Sequence, residues 1–263
     1  MRRYWQIFWI MLRNSLIREM NFKANFLLWL AVEFLWFAGQ ILFIEALFQY
    51  VDKIGDWTKW QVVLLVGTHQ IIGQIFQLFF YANVANLPEL VRTGRLDFLL
   101  LQPIDSQFAV SVRQFGLDSL VNMTAGIAIV GYSLFRLGIQ PSVAQVAVYI
   151  VACGLGVAIH YAIFLALASA SFWIVRAQGM LRGYYSLSEL ARYPDVVFRG
   201  IFRFTFSWLI PIIIVANTPA RVLFGLGETG WRLVHLALAA TLVVVLSRIF
   251  WLWALRRYSS ASS

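Results

Sequence analysis

Hydrophobic residues fill the chain in six long runs, which short polar or Pro/Gly-bearing breaks separate. The runs lie approximately at Phe26–Tyr50, Trp60–Ala85, Phe108–Phe135, Val143–Val175, Phe198–Ala216 and Trp231–Leu255. About 20 mostly apolar residues in a helix cross a hydrocarbon core ~30 Å thick. Transmembrane β-strands would instead alternate apolar and polar positions over ~10 residues, whereas these runs are continuous. The pattern therefore predicts an all-α integral membrane protein with six transmembrane helices.

The segment ahead of the first run has a different pattern. Apolar residues such as Trp5, Phe8 and Leu12 recur there at helical spacing, while Arg2 and Arg13 contribute to the opposite surface. This pattern predicts an amphipathic interfacial helix over residues 1–24 that lies in the inner headgroup layer. A soluble tail packed on the cytoplasmic face is the alternative. Residues 25–263 are expected to form a single transmembrane domain, because the runs leave no room for a soluble one.

Composition and charge support a membrane protein. The 263 residues are 61% hydrophobic and 13% charged, whereas a soluble domain has roughly 25% charged residues. With the N-terminus inside, 16 of the 21 Lys and Arg residues fall on or near the cytoplasmic side, as the positive-inside rule requires. The inner set includes Arg192, Arg199 and Arg203, and the outer set is Lys53, Lys59, Arg136, Arg221 and Arg232. We therefore expect both termini to be cytoplasmic. The formal charge of +9 is explained by orientation in a lipid bilayer, and we expect no binding of nucleic acid.

Polar residues recur at helical spacing within the first three predicted spans. They are Glu33 and Gln40 in the first, Gln70, Gln74, Gln77 and Tyr81 in the second, and Ser111, Gln114, Asp118 and Asn122 in the third. Such groups are costly against lipid, so these faces are expected to point into the bundle. They would either form interhelical hydrogen bonds alone or line a substrate path, and the sequence leaves both roles open.

Residues that could carry catalysis are scattered. His69, His160 and His235 are isolated from one another, and the single cysteine, Cys153, lies within a predicted span. An intramembrane enzyme would need a nucleophile with a base or a cluster of metal ligands, so we expect neither enzyme activity nor a metal site. An ion-coupled secondary transporter that uses Glu33 or Asp118 is the other alternative. Inverted internal repeats would support it, and none is evident.

The connection between the second and third runs, residues 86–105, has the most distinctive sequence. It is bounded by prolines and carries several charges between Glu89 and Asp97. Pro88 in the opening turn and acidic Glu89 near the start favour a short helix, which Gly94 can end. The plain alternative is an amphipathic connection on the membrane surface.

These residues resemble the hallmark of a known family. Gly94, Leu96, Asp97, Leu99, Leu100, Leu101 and Pro103 approximate a Gly-x-Leu-Asp-x-x-Leu-Leu-x-Pro stretch, with the glycine displaced by one position. This stretch follows the second span in the six-span branch of the ABC-2-type transporter permeases. Two further matches are Arg192-Tyr193-Pro194, and Pro211 followed by Asn217-Thr218-Pro219-Ala220. The resemblance covers nearly the whole chain in the order and spacing of its spans.

The resemblance implies the permease subunit of an ATP-binding cassette (ABC) transporter, more often an exporter, in a bacterial plasma (inner) membrane. Residues 86–105 would be the coupling segment, with Glu89, Arg92, Gly94, Arg95 and Asp97 contacting an ATPase subunit. ATP and Mg would bind to that partner, and no cofactor is expected in this chain, whose three lysines lie outside any phosphate-binding loop. A second permease, identical or related, would complete the complex. The cargo is not identified.

Overall fold

The structure, a computed structural model, describes residues 2–20, 23–174, 177–225 and 229–258. It is almost entirely helical. The helices are α1 (Arg2–Met20), α2 (Lys23–Leu47), α3 (Lys59–Phe76), α4 (Ala82–Ala85), α5 (Leu87–Arg92), α6 (Leu96–Leu100), α7 (Ser106–Ser111), α8 (Asp118–Leu137), α9 (Val143–Ser169), α10 (Gln178–Ser188), α11 (Gly200–Phe204), α12 (Ile213–Phe224) and α13 (Thr229–Arg256). An antiparallel hairpin of β1 (Lys53–Ile54) and β2 (Trp57–Thr58) joins α2 to α3.

Several of these helices can cross a membrane by length and composition. Among the described residues, four helical stretches qualify. They are Lys59–Arg92, which runs from the start of α3 to the end of α5, Asp118–Leu137 (α8), Val143–Phe172 (α9 and the turn after it) and Thr229–Arg256 (α13). A bent pair, Gly200–Leu209 and Ile213–Phe224, would make a fifth if it were counted as one span. The apolar helix α2, 25 residues long, precedes them. An all-α membrane protein is thus confirmed. We call the end of the bundle with β1 and β2 the hairpin end, and the end with α5 and α6 the short-helix end.

The first and last helices meet the rest of the protein at the short-helix end. Phe8 of α1 packs edge-on against Phe115, 5.1 Å between ring centroids, and Ser15 Oγ accepts a hydrogen bond from the Phe115 amide. At the other terminus, Trp251 Nε1 of α13 donates to Ser106 Oγ at 3.2 Å. The first helix and the end of the last helix therefore lie on the same side of the bundle as α5 and α6.

The local sequence determines where α8 ends and where α9 begins. Gly138 has a φ of 68°, a left-handed conformation that glycine adopts without steric cost, and it ends α8. Ser142 then accepts a hydrogen bond from the Gln145 amide while Gln145 Oε1 accepts one from the Ser142 amide. This reciprocal capping satisfies amides at the start of α9 that have no partner within the helix.

Close backbone contacts hold the central helices together. A Cβ added to Gly67 of α3 would lie 3.2 Å from the Gly126 carbonyl oxygen of α8, and one on Gly126 would meet the Gly67 oxygen at the same distance. Likewise, a Cβ on Gly156 of α9 would come within 3.0 Å of the Val215 oxygen of α12. Small residues permit this approach, and helix association in lipid depends on it.

The third predicted span is interrupted near the short-helix end. Residues 112–117 are irregular and separate α7 from α8. Asn83 replaces the missing helical bonds: its Oδ1 accepts from the amides of Arg113 and Gln114, and its Nδ2 donates to the Gln114 carbonyl at 2.7 Å. The predicted single face running from Ser111 to Asn122 is therefore wrong, because these positions do not share one continuous helix.

The chain returns from the short-helix end through α10 and the 3₁₀ turn Glu189–Arg192. Along this path Tyr185 contacts Gln77 and Glu189 approaches His69, so the segment climbs beside α3 toward the hairpin end. Asp195, which follows, bonds to Arg232 at the start of α13. Arg192 and Arg199 accordingly lie nearer the hairpin end than the sequence analysis assumed.

The predicted fifth span, Phe198–Ala216, is divided by an 84° bend into two arms. The first arm comprises α11 and the π-helical Thr205–Leu209, and the second is α12. Asp195 ties the start of the first arm to the hairpin end, and Phe224 at the end of α12 packs on Trp57 of β2 at 5.2 Å. Both outer ends thus lie at one end of the bundle. The pair is a re-entrant hairpin, and Asn217 lies inside α12.

Candidate functional site

The short helices α5 and α6 form an elbow at the short-helix end. Apolar side chains on one face, Leu87, Leu90, Leu96 and Leu99, are buried against the bundle. Gly94 sits between the two helices with a φ of 68°, which lets the chain turn sharply there. The predicted short helix that Gly94 can end is α5, and a second short helix, α6, follows that glycine. The buried leucines of both helices set the position of the segment in the fold.

The outer surface of this elbow carries both charge and exposed apolar groups. Arg92 binds Glu89 through two hydrogen bonds, Nε to Oε2 at 2.9 Å and Nη2 to Oε1 at 2.7 Å. Glu89 and Arg92 therefore pair opposite charges on this surface. Phe98 and Leu101 are 72% and 81% exposed. Arg95 is exposed and Asp97 half-buried on the same segment.

The elbow is tied directly to the last long helix. Asp105, which follows α6, accepts from Arg248 Nη2 of α13 at 2.6 Å, and Arg248 Nη1 donates to Gln107 Oε1 at 2.8 Å. The Arg248 hydrogen bond lowers the pKa of the Asp105 carboxyl. Hydrogen bonds therefore connect the segment after the elbow to both α7 and α13.

A second candidate region is a polar cavity of about 520 Å³ beside α3, which we call the polar chamber. The predicted face contributes Gln70, Gln74 and Gln77 to its wall, and Gln40 of α2 joins them. Gln74 is 3% exposed. Gln77 Nε2 donates to the Tyr185 hydroxyl at 3.3 Å, so one glutamine of the face also makes an interhelical bond.

The chamber also gathers residues that sequence reasoning treated as isolated. His69 Nε2 lies 3.8 Å from Glu189 Oε2, and His160 Nδ1 lies 2.7 Å from the Tyr184 hydroxyl. Glu189 and Arg192, joined by an ion pair of 3.0 Å, were not singled out as chamber residues. They are more than 100 positions from His69, and no local spacing signals the contact. Within the described residues, no group of three or more His, Cys, Asp or Glu side chains could hold a metal ion.

The remaining predicted polar residues do not line this chamber. Asn122 is buried, Asp118 is half-buried at the first turn of α8, and Gln114 is exposed in the irregular segment. The side chain of Glu33 lies outside the described residues. Only part of the predicted polar set is therefore brought together.

The hairpin end holds a charge cluster that the sequence did not indicate. Arg221 of α12 bonds to both Asp195 and Asp56, and Arg232 bonds to the other oxygen of Asp195. The Arg221 guanidinium also lies over the Trp57 ring, 4.6 Å from its centroid. These contacts join distant parts of the chain and serve to anchor the re-entrant hairpin.

Comparison with known proteins adds one finding. A family model described as "ABC-2 family transporter protein" matches residues 34–262, which is most of the chain. The matched region includes α3 to α13 together with the elbow and the polar chamber. No curated protein matches the sequence at a significant level.

Proposed function

Because the chain belongs to the ABC-2 family of transporter proteins, we propose that it is the permease subunit of an exporter driven by ATPase subunits on separate chains. The α5–Gly94–α6 elbow carries this proposal. It presents Glu89, Arg92 and Arg95 on a surface whose underside is packed firmly into the bundle. A docking surface that must transmit force requires an exposed face of this kind on a rigid support.

Membership in this family also places the chain in a membrane as a component of a transporter. In the proposal, the chain has no enzyme activity of its own. In the proposed complex, ATP and Mg bind to the partner ATPase, and this chain contributes no cofactor ligand. The elbow receives the movement of that ATPase. Arg248 then passes it from Asp105 into α13, whose far end bonds to the re-entrant hairpin region through Arg232.

The proposed orientation places the short-helix end in the cytoplasm of a bacterial cell. Both chain termini then lie inside, as does the elbow. Arg203 lines a cavity with Asp195 and Arg232, so it lies toward the hairpin end like Arg192 and Arg199. Counting these three as outer residues lowers the inner share of Lys and Arg from 16 to 13 of the 21 residues. The majority remains inside, so the positive-inside rule still favours this orientation.

A second permease subunit, identical or related, would complete the translocation path. The polar chamber supports this role for the interior, since it exposes amide and imidazole groups within a membrane bundle, where such groups are costly unless they serve contact or transport. The alternatives of an ion-coupled transporter or an intramembrane enzyme gain no support from the placement of Asp118 or of the histidines.

The deciding experiment is purification of the tagged chain from its native membrane, followed by mass spectrometry of the proteins that remain bound. An ABC ATPase at a fixed ratio to the permease supports the proposal, as does ATP hydrolysis by the complex in lipid. Transport by the reconstituted chain alone, driven by an ion gradient, would overturn it. A permease chain with a different sequence in the complex would identify the partner as related and not identical.

A further inference from the structure

The polar chamber adjoins a second, larger cavity of about 790 Å³. Its walls are mostly aliphatic and aromatic, and we call it the apolar groove. The groove is lined by Leu35, Phe43, Ile44, Leu47, Val62 and Val66, among others. Trp36, Gln40 and Arg192 line both cavities. The two spaces therefore meet at one layer, with the polar chamber on its short-helix side and the apolar groove on its hairpin side.

Hydrogen bonds hold this shared layer together. Arg192 Nη1 donates to Glu189 Oε2 at 3.0 Å. With its amide oxygen turned toward them, Gln40 accepts from Arg192 Nη1 at 3.2 Å and from Trp36 Nε1 at 2.9 Å. The guanidinium and the carboxylate neutralise each other. The layer therefore favours a neutral group over an ion, since an added charge within it would lack a free counter-charge; Lys53 lines only the groove, toward the hairpin end.

Two buried polar atoms on the α3 wall of the chamber have no hydrogen-bond partner among the described residues. They are Gln74 Oε1 and His69 Nδ1, and the two residues are 3% and 8% exposed. Buried polar atoms are almost always paired in folded proteins, so such atoms need an explanation. The Gln74 oxygen can only accept a hydrogen bond. A molecule that fills the chamber must therefore bring a donor.

We propose that the polar chamber and the apolar groove form one binding site for an amphiphilic cargo. Its neutral head, bearing hydroxyl or amide groups, donates to Gln74 Oε1, and its hydrocarbon chain lies in the groove. A purely polar solute would leave the apolar walls uncovered, and a pure hydrocarbon would leave both buried atoms unpaired. The inference rests on the proposed function, because it describes what the permease carries.

The test uses a monoacylglycerol with a photoreactive diazirine on its acyl chain, added to the permease–ATPase complex in lipid nanodiscs. Its dimethyl ether keeps the acyl chain but lacks both hydroxyl donors. Adducts mapped by mass spectrometry are expected on the groove residues. Loss of one hydrogen bond weakens binding by roughly three- to tenfold. The ether, and the parent probe on Gln74→Leu, should therefore each label the groove that much less.

Glycines provide substitutions that fill each cavity without disturbing its walls. A Cβ at Gly39 in the groove or at Gly73 in the chamber meets nothing within 4 Å, and the same is true of Gly131 on the outside of α8. Gly39→Leu and Gly73→Leu should each abolish labelling of the groove. Gly131→Leu is the matched control and should label like the wild type.

Labelling that is equal for the ether and the parent probe, or that survives both filling substitutions, would overturn the inference. So would disulfide cross-linking of Gly39→Cys to a second copy, since a neighbouring chain would then occupy the groove. Copurified ATPase is measured for every variant. Absence of groove labelling in the wild-type complex, with the ATPase still bound, refutes the cargo site alone, whereas a wild-type preparation without any ATPase refutes the proposed function.

Discussion

Arg221 Nη2 donates to Asp195 Oδ1 at 2.7 Å, and this bond fastens the re-entrant hairpin to the segment that leads into it. The Arg221 side chain is 3% exposed, and its Nη1 reaches Asp56 Oδ2 at 2.8 Å. One buried guanidinium thus joins α12, the β1–β2 turn and the connection after α10.

Replacement of Arg221 by Met should strongly destabilise the protein. Removing one partner of a buried ion pair leaves the other charge poorly compensated and typically costs about 3–5 kcal/mol. Asp195 keeps Arg232, so we expect a loss near the lower end, about 3 kcal/mol in the free energy of unfolding. SDS titration of the protein in mixed micelles measures it. Asp56→Asn is the control: Asp56 is 48% exposed and should cost under about 1 kcal/mol. Equal losses would contradict the assigned role.

Acidification should weaken the same cluster. Burial raises the pKa of Asp195, but hydrogen bonds and charge from Arg221 and Arg232 outweigh it, so the pKa lies below its ordinary 3.8. The stabilisation is therefore fully present above the unfolded value and is lost as the pH falls through the folded one. We expect the melting temperature in detergent to fall from about pH 5 to about pH 3. Asp195→Asn should show a shallower fall. Asp105, whose pKa Arg248 lowers, should account for part of the remaining slope.

Asn83 should prove essential for the break between α7 and α8. Asn83→Leu leaves the amides of Arg113 and Gln114 without their acceptor. These bonds are partly buried, so each loss should cost about 1 kcal/mol, the lower end of the range for a buried group. A lower melting temperature and faster proteolysis near residue 113 should follow. Asn83→Asp keeps the accepting oxygen and loses only the donors, so it should be milder. A continuous helix through residues 112–117 in the leucine variant, without loss of stability, would refute this role.

Cysteine accessibility can distinguish the membrane topology seen in the structure from the topology predicted from the sequence. In a Cys153→Ala background, Asp52→Cys and Arg199→Cys should both react with an impermeant maleimide added outside the cell. Arg95→Cys should react only after the membrane is opened. The charge pattern along the sequence predicts that Arg199 lies inside, so cytoplasmic labelling of that position would restore a fifth span at Phe198–Ala216.

Exchange of Glu89 and Arg92 should release the ATPase without harming the permease. The double variant Glu89→Arg, Arg92→Glu keeps their mutual ion pair while reversing the charge pattern that faces the partner. Like-charge contacts at a docked surface would weaken ATPase binding by roughly tenfold or more. Copurification and ATP hydrolysis by the complex measure this effect. Arg136→Glu, an exposed reversal at the opposite end, is the control and should leave both unchanged.

Sequence reasoning predicted the features that depend on local pattern. The apolar runs identified the long helices, because a helix in lipid satisfies its own backbone and must be apolar outside. Pro88 and Gly94 signalled the short helix of the elbow, because their effects on the backbone are local. The glutamine spacing likewise placed Gln70, Gln74 and Gln77 on one wall.

Features that depend on distant contacts were missed. The break at residues 112–117 exists because Asn83, about 30 positions earlier, supplies its hydrogen bonds. The re-entrant hairpin has the composition of a span, and only its bend and the contacts of Arg221 and Phe224 show that both ends lie together. The chamber pairs His69 with Glu189 across more than 100 residues, a distance at which no spacing rule applies.

The burial of α12 has a consequence for how the protein is made. Every residue from Ile213 to Leu223 is buried, whereas Ile201, Phe202 and Leu209 of the preceding arm face outward. Neither arm is long enough to be threaded across a bilayer as an independent span. The bent backbone between them is tolerated at membrane depth only where protein surrounds it. During biogenesis, we therefore expect the re-entrant hairpin to enter the bundle from the hairpin end. This requires that α3 and α9, against which α12 packs, are already inserted.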